Sequence, residues 1–135
     1  MKILVMDGQG GQLGAQLIKS IKGSFANADV TAVGTNAIAT GAMLKAGANQ
    51  AATGENAVIV ACRKTDVIIG PIGIVIADAL LGEVTPQMAV AVGQADAVRI
   101  LLPMNKCDNL VAGVAENSMT DIIEDALKKL KGIME

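Results

Sequence analysis

The sequence has no histidine, tyrosine or tryptophan, and its single aromatic residue is Phe25. The commonest general base and the phenolic donor are therefore missing from any mechanism. Two cysteines, Cys62 and Cys107, are too few and too far apart for a disulfide framework, and without histidine they supply no transition-metal ligand set. Basic blocks are also lacking. With 11 Lys and Arg against 13 Asp and Glu, the chain carries a net charge of −2, which removes the electrostatic footprint of a nucleic-acid or anionic-membrane partner. No signal peptide or lipidation pattern opens the sequence. The longest apolar run, Val67 to Leu81, is broken by Gly70, Pro71, Gly73 and Asp78 and is shorter than the about 20 apolar residues of a bilayer-spanning helix. The expectation is a cytoplasmic protein with no nucleic-acid and no membrane partner.

What the sequence has is aliphatic bulk. Hydrophobic residues make up 52% of 135 positions, enough for one domain over residues 1–135 that folds without disulfide or metal. Met43, Met88, Met104 and Met119 read as core or interface filler, and Cys62 as a core residue on an apolar helix face.

Lys2 to Met6 is a short apolar strand ending at Asp7 and a glycine cluster. Leu13, Leu17, Ile21 and Phe25 then recur at helical spacing. Val30 to Gly34 repeats the strand pattern, followed by a helix over Ile38 to Ala46 that Gly47 closes. Asn49 to Ala52 reads as a third strand, Ala57 to Arg63 as a helix, and Val67 to Ile69 as a strand buried on both faces. Pro71 suits the first turn of a helix running to about Leu81. Thr85 with Pro86 gives the cap-then-proline start of another helix, through about Gln94. Val98 to Leu102 is a fifth strand. Leu110 to Val114 reads as a sixth, antiparallel because Pro103 to Asn109 is too short for a helical crossover. Ser118 opens a final amphipathic helix. The alternation predicts a single-domain, doubly wound, Rossmann-like α/β sheet, mostly parallel, with an antiparallel edge hairpin.

In such sheets ligands bind beyond the carboxyl ends of the strands, where strand order reverses. The turn there is Gly8, Gln9, Gly10, Gly11, Gln12, Leu13, Gly14, a GxxGxxG spacing between strand and helix that brings backbone amides toward a phosphate at the positive helix end. A side chain at Gly11 would stand between helix and phosphate. The competing reading is that the glycines serve only a tight turn and close helix–sheet packing. Asp7 at the mouth of this loop would repel a phosphate by on the order of 1 kcal/mol or more. It reads as a carboxylate accepting backbone N–H bonds in the turn, with a cation bridge as the alternative.

Thr35, Asn36, Thr53, Glu55, Asn105 and Lys106 also follow predicted strands, on the same edge. Thr35, Asn36 and Thr53 have ordinary capping roles open to them as well. Lys106 either neutralises a phosphate or carboxylate or stands in solvent, and Cys107 beside it reads as an incidental thiol. Asp78, the one charge between Ile72 and Leu81, should face water, a partner or the ligand.

DGQGGQLG followed by a helix resembles the glycine loop of extended short-chain dehydrogenases and their NAD(P)-binding relatives. The likeness covers roughly the first 75 residues, where NQAATGEN and TDVIIG resemble the third strand, third helix and fourth strand of that family. It implies cofactor phosphates at Gly8, Gly11 and Gly14, adenosine ribose near Thr35 or Asn36, and adenine near Thr53 to Glu55. The Tyr-x-x-x-Lys pair of that family has no counterpart, and Asn36 stands where an acid for the NAD ribose is expected, so its hydride-transfer activity is not implied. As a whole, with DGQGG, GTNAIAT, ATGENA and GPIGI, the chain resembles a family of short, uncharacterised bacterial proteins.

The leading reading is a small domain that binds a phosphate-bearing nucleotide of the NAD or NADP type and serves as a sensor or partner subunit. Its rivals are a small enzyme, in which Asp7, Glu55 or Lys106 handles protons for a nucleotide or sugar, and an interaction module that needs no ligand. A homodimer is expected through the nearly uncharged helix from Ile72 to Leu81.

Overall fold

A computed structural model describes residues 1–104, 108–115 and 117–135. Among the described residues, five strands and five α-helices follow in the order β1 (Lys2–Asp7), α1 (Gln12–Ser24), β2 (Asp29–Gly34), α2 (Ala37–Lys45), β3 (Gln50–Thr53), α3 (Glu55–Cys62), β4 (Val67–Pro71), α4 (Pro86–Gln94), β5 (Val98–Leu102) and α5 (Met119–Met134). The strands form one sheet, ordered β3-β2-β1-β4-β5, with every pairing parallel. This is the doubly wound Rossmann-like arrangement, with strand order reversing between β1 and β4.

Strand pleating explains the layers, because successive side chains point to opposite faces. Ile3 and Val5 of β1, Val30 and Ala32 of β2, and Val67 and Ile69 of β4 face a layer built from α1, α2 and α5. Leu4, Met6, Val33 and Ile68 face the other layer, built from α3, the 72–84 segment and α4. The Leu13, Leu17 and Ile21 stripe buries α1 as its spacing predicts, and Ile123, Ala126 and Leu130 do the same for α5. Each buried Leu, Ile or Val among them contributes about 1.5–3 kcal/mol by leaving water. The caps follow the sequence: Thr85 Oγ1 accepts from Met88 N–H, and Ser118 Oγ from Asp121 N–H. Met43, Met88 and Cys62 lie in the core, and Met104 and Met119 pack against it. Among the described residues no helix is long and apolar enough to cross a membrane.

Two expected elements do not form. The helix expected from Pro71 to Leu81 is a single 3-10 turn, Ile72–Val75, followed by a chain of turns with Asp78, Leu80 and Leu81 at φ 66°, 56° and 57°. Its apolar residues lack a helical stripe. A compact loop buries Ile74, Ala79, Leu80 and Val84 together, which one helix face would not do. It closes through Asp78 N–H to Val84 O and Gly82 N–H to Asp78 O. The left-handed residues cost about 1–2 kcal/mol each, offset by that burial. Asp78 itself is exposed, as expected. The candidate helical dimer interface is therefore absent.

Leu110 to Val114 is not a strand either. Leu110 is 95% exposed, Gly113 takes φ 83°, and the segment makes turns, so β5 is the sheet edge rather than one arm of a hairpin. The layer below β5 is already covered by α5, which leaves these side chains no face to bury.

Candidate functional site

The carboxyl ends of β3, β2 and β1 line up in register at Thr53, Gly34 and Asp7. From that row the chain turns into the glycine loop, into Thr35 and Asn36, and into Gly54. Asp7 is 3% exposed, and both of its oxygens are engaged: Oδ1 accepts from Gly8 N–H and Oδ2 from Gly14 N–H, each at 2.8 Å. The backbone-accepting reading of this carboxylate holds. Burial raises its pKa above the ordinary aspartate value of 3.8, with Glu83 adding to the rise, while the two N–H donors oppose it.

Gly11 caps α1 in the left-handed region, at φ 73°, and a Cβ there would lie 2.7 Å from the Ala39 backbone. Its lack of a side chain thus lets α1 pack on α2. At Gly14 a Cβ would meet Met43 and Asp7, another packing role, whereas at Gly10 it would meet nothing. At Gly8 it would meet Thr35, Leu80 and Glu83. The loop therefore lies hard against the chain's own 72–84 segment.

Glu83 is the residue that sequence reading missed. Its Oε1 accepts from Gln9 N–H at 2.8 Å, Thr35 Oγ1 at 2.6 Å and Asn36 Nδ2 at 2.7 Å. Burial alone would raise its pKa, but the hydrogen bonds from Thr35, Gln9 and Asn36 outweigh it and hold the carboxyl below the ordinary glutamate value. The available clue was charge: from Val67 to Ala95, only Asp78 and Glu83 are charged.

The remaining expected residues are placed as follows. Asn36 caps α2 through Oδ1 to Ala39 N–H and also donates to Gln9 O. The Thr53 and Thr40 hydroxyls are hydrogen-bonded to each other, two strand spacings, about 10 Å, from the glycine loop. Glu55 accepts from Thr85 Oγ1 and ties α3 to α4. The Leu13 side chain is core, and Gln12 is exposed. At the start of α1, the N–H groups of Gln12 and Leu13 find no acceptor among the described residues. Asn105, Lys106 and Cys107 lie outside the described residues. A groove of about 730 Å³ runs elsewhere, between α3 and α4 past Arg63, Val90 and Asp96. Among the described residues no metal-binding cluster forms.

With this geometry in view, the sequence match is informative. The chain belongs to the family described as Domain of unknown function (DUF3842), matched over residues 2–135. No curated protein matches it. Among solved structures it is similar to a dodecameric FMN-dependent UbiX-like decarboxylase from Escherichia coli O157:H7, at 16% identity and TM-score 0.49, covering 97% of this chain and 94% of that one. That degree of likeness carries no functional argument. Nothing in these findings supports the resemblance to extended short-chain dehydrogenases.

Two outcomes follow from the loop. Gly11→Ala should lose about 2–4 kcal/mol in denaturant unfolding, from left-handed strain plus the Ala39 contact, while Gly10→Ala should change stability by less than about 0.5 kcal/mol; equal effects would refute the packing role. Because folded Asp7 holds its proton to higher pH than the unfolded chain, wild-type stability relative to Asp7→Asn should fall as pH rises from 3.8 through the raised folded pKa. Unfolding curves across that window that diverge in the opposite sense would refute it.

Proposed function

We propose that this domain binds a small phosphate-bearing ligand of nucleotide type at the carboxyl edge of β1 and β2, with NAD(H) and NADP(H) the first compounds to try. The observation that supports it most is the convergence of Gln9 N–H, Thr35 hydroxyl and Asn36 amide on one anionic oxygen, that of Glu83. Donors held by two separate turns, the one after β1 and the one after β2, make an anion cradle. The open N–H groups of Gln12 and Leu13 lie in the same turn, at the positive end of α1. Within this reading the adenine end of the ligand extends toward Thr53. Among the described carboxylates, Asp7 and Glu55 are already engaged by donors, so a sensor or partner subunit fits better than an enzyme with an open base.

A second reading has specific support. Gly11 and Gly14 are accounted for by packing, and two carboxylates already sit at the loop, as in an interaction module that takes no ligand. Thermal unfolding separates the two. At one hundred times Kd a ligand adds about 2.7 kcal/mol of stability, so NAD(H) or NADP(H) should raise the melting temperature. If NAD, NADP, flavin, ATP and GTP all leave it unmoved at millimolar concentration, in wild type and in Glu83→Ala, the interaction module replaces the nucleotide reading.

The homodimer belongs to this proposal too, with its contact moved to the α3–α4 face. Residues 56–62 and 84–95 carry no charge, and Val90 is 52% exposed beside the groove. Sedimentation velocity should show a dimer that Val90→Glu dissociates; a wild-type monomer would overturn this.

A further inference from the structure

We infer that Glu83 is an internal competitor for the anion cradle, a latch that a ligand's phosphate oxygen must displace. The inference rests on the nucleotide reading and adds how access to that site is controlled.

Three observations lead to it. The Glu83 carboxylate presents to the cradle what a phosphate presents, an anionic oxygen that takes a backbone N–H, a hydroxyl and a side-chain amide at 2.6–2.8 Å. The space beside the loop is also crowded. A Cβ built on Gly8 would stand 2.8 Å from Leu80 Cδ1 and 3.0 Å from Glu83 Oε1. A group placed at Gly8 therefore has to push aside the Leu80 and Glu83 side-chain tips, and Glu83 then gives up its donors. Finally, the segment is strained where it must give way. Asp78, Leu80 and Leu81 all hold left-handed backbone, and Gly82, at φ 88°, adjoins the latch residue. Leu81 projects into solvent, 96% exposed, while Leu80 and Val84 anchor the base of the loop in the core. Breaking the Glu83 contacts frees the tip at Leu81 to Glu83 while Leu80 and Val84 stay packed.

A latch of this kind lowers apparent affinity by the fraction of molecules in which the cradle is open. Removing the carboxylate removes both the competition and one of the two negative charges that face an incoming phosphate, the other being Asp7.

The test is calorimetric titration of ADP and of NAD into wild type, Glu83→Ala and Glu83→Gln. Glu83→Ala should bind at least about tenfold more tightly than wild type. Glu83→Gln, which keeps an acceptor oxygen but drops the charge, should fall between them. Since the chain contains no tryptophan or tyrosine, Leu81→Trp places a sole indole reporter on the loop. Its emission should shift on addition of ADP, and should stand at the shifted value without ADP when Glu83→Ala is added. Equal affinity in all three proteins overturns the latch and leaves nucleotide binding standing. Absence of binding in all three overturns the nucleotide reading itself. If Glu83→Ala does not fold, the wild type and Glu83→Gln comparison decides: tighter binding supports the latch, and unchanged binding overturns it.

Discussion

The buried carboxylate of Asp7 is the constraint around which the carboxyl edge is organised. It ends the central strand, where Ile3 to Met6 are enclosed on both faces, and it bonds the first and last glycines of the turn. That clamp sets where α1 begins. With the turn so fixed, Gly11 rests on Ala39, Gly14 on Met43, and the N–H of Gln9 points away from the core toward Glu83. An unpaired buried carboxylate would cost several kcal/mol; two backbone donors make this one tolerable, at the expense of a pKa pushed upward.

The same clamp changes what a glycine-rich turn means. In an open phosphate loop the amides wait for a ligand. Here the N–H groups of Gly8 and Gly14 serve Asp7, that of Gln9 serves Glu83, and that of Gly11 closes the turn onto Gly8. Among the described residues the N–H groups of Gly10, Gln12 and Leu13 find no acceptor. Two carboxylates therefore meet in the loop with their pKa values moved in opposite directions, Asp7 upward by burial and Glu83 downward by its three donors. The site's donors suit an anion, while its two carboxylates repel one.

That segment is also where local rules gave way. Its run of aliphatic residues lacks a polar face, so no helix orientation would bury the whole set. The chain instead spends three left-handed residues on a loop that buries Ile74, Leu80 and Val84 together and delivers Glu83 to the turns after β1 and β2. Family membership adds no chemistry to this picture, and any activity must be argued from these residues.

Much was determined by the sequence alone. Short apolar runs located all five strands and helical spacing, apart from the 72–84 segment, the helices; Thr85 with Pro86 and Ser118 marked two helix starts; the glycine turn and the hydrogen-bonding role of Asp7 were legible because both are short-range. The absence of a Leu110 to Val114 strand was not legible, because β-forming residues become a strand only where a sheet edge and an uncovered face accept them. Nor was the cradle. Glu83 meets Gln9, Thr35 and Asn36 across 74, 48 and 47 residues, and local patterning says which face of an element is buried but not which distant loop will lie on it. Only the order of strands in the sheet, which sets β4 beside β1, brings that carboxylate to the end of β2.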